Sequence, residues 1–414
     1  MASEARLLPF QVRASDRDGD DGGDAPGDLQ ELPPQPTPAQ ARAQTAQLLV
    51  LSVLFLLTSV VNYVLYKLAS DALGEHLNFA RQQIGVLWYD VMVTLVCVGT
   101  FFAGRCAPPI ATPLWAFAAV GFVDASGDFL ASASSSETSG PLQTLLSQLT
   151  IPATLAFSTL LLRGAAVFSA WHYAGAFVVV VGSAVAAVPQ FEGASRHAHR
   201  TWWAPLIFAL GQLPEGLSVV LKNKIFLRER RAGRPLFVLL LSALVSWCQL
   251  ACAWLFVPLE SIDGLGGVAL DDVGPVLGRG WRCFAGERVL KHPGAAPNAT
   301  DFGERCAGSR VTVVTLLFAA MGVVNGYLWL AVVDHPRGGA ALSAVLSALC
   351  LPLANLAYAV PWTLLWPAPT AVTGWDVASL VLTVVGMLVY QLPELRERFC
   401  APPPQTDDAP TSID

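Results

Sequence analysis

The side chains able to do chemistry in this chain lie inside long apolar stretches. Asp124 and Asp128 stand four apart in the apolar stretch 112–134, with Ser126 and Gly127 between them. On a helix that spacing puts both carboxylates on one face. Like charges that close repel, which favours one of them as a proton acceptor. Asp128 lies towards the end of its stretch and could instead simply be solvated. Glu215 follows Gln212 and Pro214 in the stretch 202–222 and either serves a path or pairs with a basic neighbour. Asn62, Tyr63, Tyr66 and Lys67 recur along one side of 48–69, although Lys67 could equally snorkel to an interface. Gln148 and Pro152 occupy 141–162, and Pro352 and Asn355 occupy 339–361. A proline within a helix frees a carbonyl and bends the helix. That is tolerated where helices line a cavity, and it also occurs as a plain packing feature. Gln249 lines a path or bonds across helices, and Asp90 and Asp376 are expected at interfaces or caps.

Ionisable groups at bilayer depth cost about 2.5–3.5 kcal/mol or more unless they meet a cavity or a partner, so each is a functional candidate. The chemistry they suit is binding and moving solutes and protons. The chain has no Gly-rich phosphate loop, nucleophile elbow or His-Glu-x-x-His motif, and His197-x-His199 lacks a third metal ligand. No enzyme activity, cofactor or metal is expected.

The elements that must position these residues are membrane spans. Hydrophobic residues make up 54% of the chain and charged ones only 14%, a balance foreign to a soluble globular protein. Ten apolar runs are long enough to cross hydrocarbon: 48–69, 84–104, 112–134, 141–162, 169–189, 202–222, 235–257, 311–333, 339–361 and 375–392. The two halves repeat one another. Phe117-Ala118-Ala119-Val120-Gly121 returns as Phe318-Ala319-Ala320-Met321-Gly322, and Leu146-Ser147-Gln148-Leu149 to Pro152 returns as Leu346-Ser347-Ala348-Leu349 to Pro352. Trp171-x-x-Ala174 with Gly182 returns as Trp375-x-x-Ala378 with Gly386, and the partner of Asp124 is Asn325. Five spans per copy is an odd number, so the second copy enters the bilayer upside down. The expected fold is all-α integral membrane, ten transmembrane helices in two inverted five-helix repeats. Its expected parts are a disordered acidic Pro-rich tail 1–47, repeats 48–189 and 202–392, the second with a long loop 258–310, and a tail 393–414.

Positive charge sets the expected sidedness. Lys222, Lys224, Arg228, Arg230, Arg231 and Arg234 crowd the link between spans six and seven, against little beyond Arg81, Arg196 and Arg200 in the opposite short links. Both termini are therefore expected in the cytosol. The long loop would then be lumenal; it holds the sequon Asn298-Ala299-Thr300 between Cys283 and Cys306, a pair whose closure would add about 3 kcal/mol.

Particular residues carry a family resemblance. They are Val123-Asp124-Ala125-Ser126, Ser147-Gln148-Leu149-Thr150-Ile151-Pro152, Leu160-Leu161-Leu162-Arg163, Tyr173-Ala174-Gly175-Ala176, Ser246-Trp247-Cys248-Gln249-Leu250 and Pro258, together with the cysteine-bearing loop. Through them the chain, over about 48–395, resembles the chloroquine-resistance transporter family of the drug/metabolite transporter superfamily, whose architecture is two inverted five-span halves. It departs from that family in retaining two loop cysteines where four can occur, and in carrying Lys222-Asn223-Lys224 where an acid can stand.

The resemblance implies an organellar carrier of amino acids, small peptides, thiols or organic cations, coupled to protons; read with the intramembrane residues, it is expected to work by alternating access with Asp124 or Glu215 carrying the proton. Spans three, four, eight and nine would surround the site, and spans one, two, six and seven would gate it. A vacuolar or lysosome-like membrane is the favoured location, with a plastid envelope as the other option. Expected partners are a small-molecule substrate, protons and the lipid bilayer; no nucleic acid is expected, and the chain is read as a monomer. The competing readings are a nucleotide-sugar or sugar-phosphate exchanger, which needs buried cations such as Lys67, Lys222 and Lys224, and a non-transporting membrane scaffold working through its acidic tail.

Overall fold

The computed structural model describes residues 38–73, 77–102, 110–161, 168–191, 203–232, 237–262, 265, 268–290, 306, 308–335, 340–359 and 372–400. An isolated bridge at Leu290 aside, no strand occurs among them. The helices are α1 (Pro38–Leu73), α2 (Asn78–Phe102), α3 (Leu114–Ser135), α4 (Gly140–Ser147), α5 (Thr150–Leu161) and α6 (Ala170–Phe191). They continue with α7 (Ala204–Arg231), α8 (Val238–Ala253), α9 (Val273–Phe284), α10 (Ser309–Asp334), α11 (Ala340–Ala359) and α12 (Gly374–Cys400). Nine helical spans among the described residues are long and apolar enough to cross a membrane, counting α4 with α5 and α8 with the 3-10 segment that continues it. Helix α11 is a further apolar helix of 20 residues, packed on α1, α4 and α12.

Apolar side chains face outwards: Phe102 is 82% exposed, Leu114 and Trp115 70%, and Phe177 69%. Asp90, Asp124, Gln143, Gln212 and Asn355 are buried. This inside-out arrangement suits a lipid surround, because lipid solvates aliphatic side chains and leaves polar groups to find partners within the bundle.

Several boundaries differ from those read in the sequence, each for a local reason. Helix α1 starts at Pro38, ahead of the expected 48, because proline suits a first helical turn and Ala39-Gln40-Ala41-Arg42-Ala43-Gln44 is good helix-forming sequence. The span 141–162 is broken into α4 and α5. Pro152 has no N–H to bond the Gln148 carbonyl, which accepts instead from Ile151 N at 3.0 Å, and the turn tightens there. Helix α11 runs unbroken through the matched Pro352. Helix α7 continues past 222 to Arg231.

The long loop contains the amphipathic helix α9. Its Val276, Cys283 and Phe284 pack with Cys306 and Val311 against Ala72, Leu73, Leu77, Ala80 and Ile84, covering one end of α1 and α2. Cys283 and Cys306 form a disulfide with Cα atoms 5.7 Å apart. Asn298, His197 and His199 lie outside the described residues.

Close helix packing depends on small residues at crossings. A Cβ on Gly175 of α6 would lie 2.5 Å from the Gly386 carbonyl oxygen of α12, and one on Gly386 would lie 2.8 Å from Val179 N. Helix α3 packs along α7 and α8, α1 along α10 and α11, α5 on α7, and α2 on α8 and α10.

Candidate functional site

The centre of the bundle is organised by α3 and α7, which run antiparallel. At one end the Glu229 carboxylate of α7 accepts bonds from Ala111 N at 3.1 Å and from the Thr112 backbone N–H and hydroxyl, tying down the start of α3. Towards the other end Gly127 faces Gly211; a Cβ on Gly127 would lie 3.0 Å from the Gly211 oxygen and 3.3 Å from Glu215 Cγ. That approach brings Glu215 beside the two aspartates of α3.

Lys222 lies two turns beyond Glu215 on the same helix. Its Nζ is 2.8 Å from Asp124 Oδ2, with the Asp124 side chain 8% exposed and the Lys222 side chain 33% exposed. Asp124 Oδ1 has no hydrogen-bond partner. Lys222 was expected in a cytosolic link. It belongs instead within the α7 span, where the carboxylate of Asp124 makes a part-buried ammonium tolerable. Lys224 and Arg228, further along α7, are exposed as a link would have them.

The ion pair opens on a cavity of two lobes. The first, about 500 Å³, has Asp124, Lys222, Tyr89, Ser246 and Gln249 in its wall. The second, about 610 Å³, is lined by Tyr63, Tyr66, Gln148, Gln212, Tyr358 and Tyr390 among others. Asn62, Asp128, Glu215 and Phe318 line both, so the lobes meet at the acidic cluster. The Tyr358 hydroxyl donates to the Tyr63 carbonyl at 2.9 Å, joining α11 to α1. Arg81 lies with its guanidinium 5.1 Å from the centre of the Tyr66 ring and bonds Ser132 of α3.

Eight sequence candidates thus surround one space: Asn62, Tyr63, Tyr66, Asp124, Asp128, Gln148, Glu215 and Gln249. Others do not join them. Asn325 accepts from Ser59 at 2.7 Å and Thr58 at 3.1 Å, holding α10 to α1. Asn355 is buried with both amide atoms unbonded and lines neither lobe. Pro152 acts through its backbone at the α4–α5 break. The Pro352 side chain lies outside the described residues.

Lys67 does not snorkel. It pairs with Asp71 at 2.7 Å and donates to the carbonyls of Ser135 and Ser136 at 3.0 and 3.2 Å, closing the C-terminus of α3. Asp376 caps α12 by accepting from Thr373 N at 2.8 Å, whereas Asp90, expected at an interface or cap, is fully buried at mid-helix. Arg81, read as part of a short link, is buried at the start of α2, held between the Tyr66 ring and Ser132. The last span also contributes, through Met387, Tyr390 and Gln391. No repeat anchor pointed to these residues, and only the i, i+7 spacing of Glu215 and Lys222 hinted that the two share a face. Among the described residues, no group of three or more His, Cys, Asp or Glu is arranged to hold a metal ion.

A bundle of apolar-faced helices around a polar, charged cavity defines a multi-pass membrane protein with an internal site. The chain belongs to the CRT-like, chloroquine-resistance transporter-like, family, whose model matches residues 48–390. It is 26% identical over 361 residues to the chloroquine resistance transporter of Toxoplasma gondii, covering 86% of this chain and 39% of that protein. It is 24% identical over 374 residues to Crt homolog 1 of Dictyostelium discoideum, covering 87% and 76%. It is 24% identical over 352 residues to the protein CLT3, chloroplastic, of Arabidopsis thaliana, covering 84% and 73%.

Proposed function

We propose that this protein is a secondary transporter that moves small organic solutes across an organellar membrane by alternating access, coupled to protons through Asp124 or Glu215. The observation that carries the reading is the two-lobed cavity whose lobes join at Asp128 and Glu215, beside the Asp124–Lys222 pair. Three carboxylates stand there against two cations, Lys222, which is neutralised by its partner, and Arg81, which is packed on the Tyr66 ring and bonded to Ser132. Such a site suits an amino, guanidino or other cationic solute and a proton better than a phosphate ester, which would need cations to spare. The family's breadth leaves amino acids, small peptides, thiols and organic cations as the solute classes.

Alternating access needs two halves that can rock, and the packing supports ten spans in two inverted repeats. The pairing of α3 with α7 and α8 matches that of α10 with α1 and α2 when the halves are exchanged, and α5 on α7 matches α11 on α1. The crossing of α6 and α12 repeats the exchange at single residues. Gly182 is met by Thr383 and Gly386 by Val179, each pair mapped onto the other by the shift that carries Trp171 to Trp375. Asp124 reaches α7 and its partner Asn325 reaches α1, so the two halves bond alike although only one is charged.

The exposed Lys224 and Arg228 favour a cytosolic α7–α8 link, and the disulfide at the other end favours a lumen. A vacuolar or lysosome-like membrane suits that pair of features, while relatives with chloroplastic names keep a plastid envelope in view.

The test is reconstitution in liposomes with labelled arginine, glutathione and a cationic amphiphile, with and without an inward acid gradient. Saturable uptake that grows with the gradient, and loses that growth in Asp124→Asn or Glu215→Gln while exchange persists, is the expected result. Uptake of none of the three would overturn the reading.

A further inference from the structure

Asp90 is a carboxylate that the acidic cluster does not use. It is the thirteenth of the 25 residues of α2, has no exposed surface, and neither of its oxygens has a hydrogen-bond partner. The Ser246 hydroxyl of α8 is the polar group facing it, outside hydrogen-bonding geometry. Ser246 and Tyr89 also line the lobe that holds Asp124, so Asp90 lies one side chain behind the cavity wall. One turn further along α2, Trp247 Nε1 donates to Thr94 Oγ1 at 3.0 Å, and Val93, Leu239, Ala243 and Val323 form a dry cluster between α2, α8 and α10.

No counter-charge faces Asp90. The titratable groups in reach are its neighbour Tyr89 and Cys248 on α8. From α3 the charged groups are Asp124, already paired with Lys222 of α7, and Asp128, a further acid, while Arg81 of α2 itself is taken up by Ser132 and the Tyr66 ring. Lys67 and Asp71 of α1 are paired with each other. Helix α10 carries Arg310 and Asp334 only at its ends, and α9 carries Arg279 and Arg282 at the disulfide end of the bundle. An ionised carboxylate cannot persist unpaired and unbonded in such a place, whereas the neutral acid can.

We propose that Asp90 is a second proton-binding site, distinct from the Asp124 cluster, loaded with a proton in the conformation described here and unloaded when α2 and α8 part and water from the adjoining lobe reaches it. On unloading, the O–H bond breaks, water takes the proton and the carboxylate stays hydrated. The loaded state stands on the geometry alone; the unloading rests on the transport reading.

Infrared spectra of the full-length protein in lipid nanodiscs near neutral pH test the loaded state. The wild-type minus Asp90→Asn difference should contain the C=O stretch of a protonated carboxylic acid. Carboxylate bands in its place would overturn the proposal, whatever the transport assay gives. Asn is close to an isostere of the neutral acid, so Asp90→Asn should fold and melt like the wild type; a marked fall in melting temperature would mean that the charge is needed, and would also overturn it. In proteoliposomes that transport as wild type, Asp90→Asn should retain solute exchange and lose acid-driven accumulation to the level of empty liposomes. Unaltered accumulation would overturn the unloading step.

Discussion

Removing the ammonium of Lys222 tests the arrangement at the cavity centre most directly. At 2.8 Å the Lys222–Asp124 attraction is about 6 kcal/mol for an effective dielectric constant of about 20, before the cost of desolvating both groups is subtracted. That cost consumes much of the attraction, so the pair contributes little net stability over apolar replacements. Breaking it is another matter, because Lys222→Met leaves a carboxylate that is 8% exposed, with one oxygen already unbonded. Loss of one partner of a buried pair costs about 3–5 kcal/mol, and the 33% exposure of Lys222 places this case at the low end, about 3 kcal/mol. Asp124→Asn should cost a similar amount by stranding the lysine, reduced by whatever hydration the cavity gives it. The double variant Asp124→Asn/Lys222→Met strands neither charge and should recover more than half of the loss. The assay is a double-mutant cycle on unfolding in mild detergent micelles, with a coupling energy of at least about 1.5 kcal/mol expected. Losses that add to within about 0.5 kcal/mol would show that the two side chains do not act as a pair, and would refute the reasoning.

Three structural perturbations have equally definite outcomes. Glu229→Gln weakens the acceptor that holds Ala111 N and Thr112 at the start of α3 and should lower stability by about 1–2 kcal/mol, read as a lower melting temperature with unchanged helix content by circular dichroism. Gly175→Val puts a Cβ 2.4 Å from Tyr390 N, so α6 and α12 must separate; a loss of about 1–3 kcal/mol, or failure to fold on expression, is expected, while the same change at Gly85, with nothing within 4 Å, should be mild. Reducing the Cys283–Cys306 bridge, or replacing both residues by Ser, frees a loop of sequence separation 23 and should cost about 3 kcal/mol in a chain-entropy picture. A melting temperature insensitive to reductant would show that the packing of α9 holds the loop without the bridge.

The membrane class and the all-helical build could be read from the chain, because hydropathy and helical period are local properties that a bilayer makes nearly decisive; of the ten runs expected, nine stand as long apolar spans among the described residues. The Cys283–Cys306 partnership was within reach because the two cysteines share one long loop, and the cluster of Asp124, Asp128 and Glu215 because an ionisable group in an apolar run has few places to go. Of the two matched prolines the sequence marked a bend at each, yet only Pro152 breaks its helix and α11 runs unbroken through Pro352.

Only the tertiary structure decided which charges meet. Nothing local distinguishes Lys222, within α7 and paired with Asp124, from Lys224, exposed one residue beyond the next, because the difference lies in which face of α7 turns towards α3. Asp124 and Asn325 occupy matched positions, yet one opens on the cavity and the other holds two helices together; what decides is the side chain across the gap, an ammonium in one half and two hydroxyls in the other. Asp90 looked like a cap and proved to be sealed in the interior, and Arg81 looked like a loop cation and proved to stand on the Tyr66 ring. Burial is a property of what packs on a residue from elsewhere in the chain, and pairing is a property of two residues at once. The sequence names the groups that are costly to bury, and the fold determines which partner, proton or cavity offsets that cost.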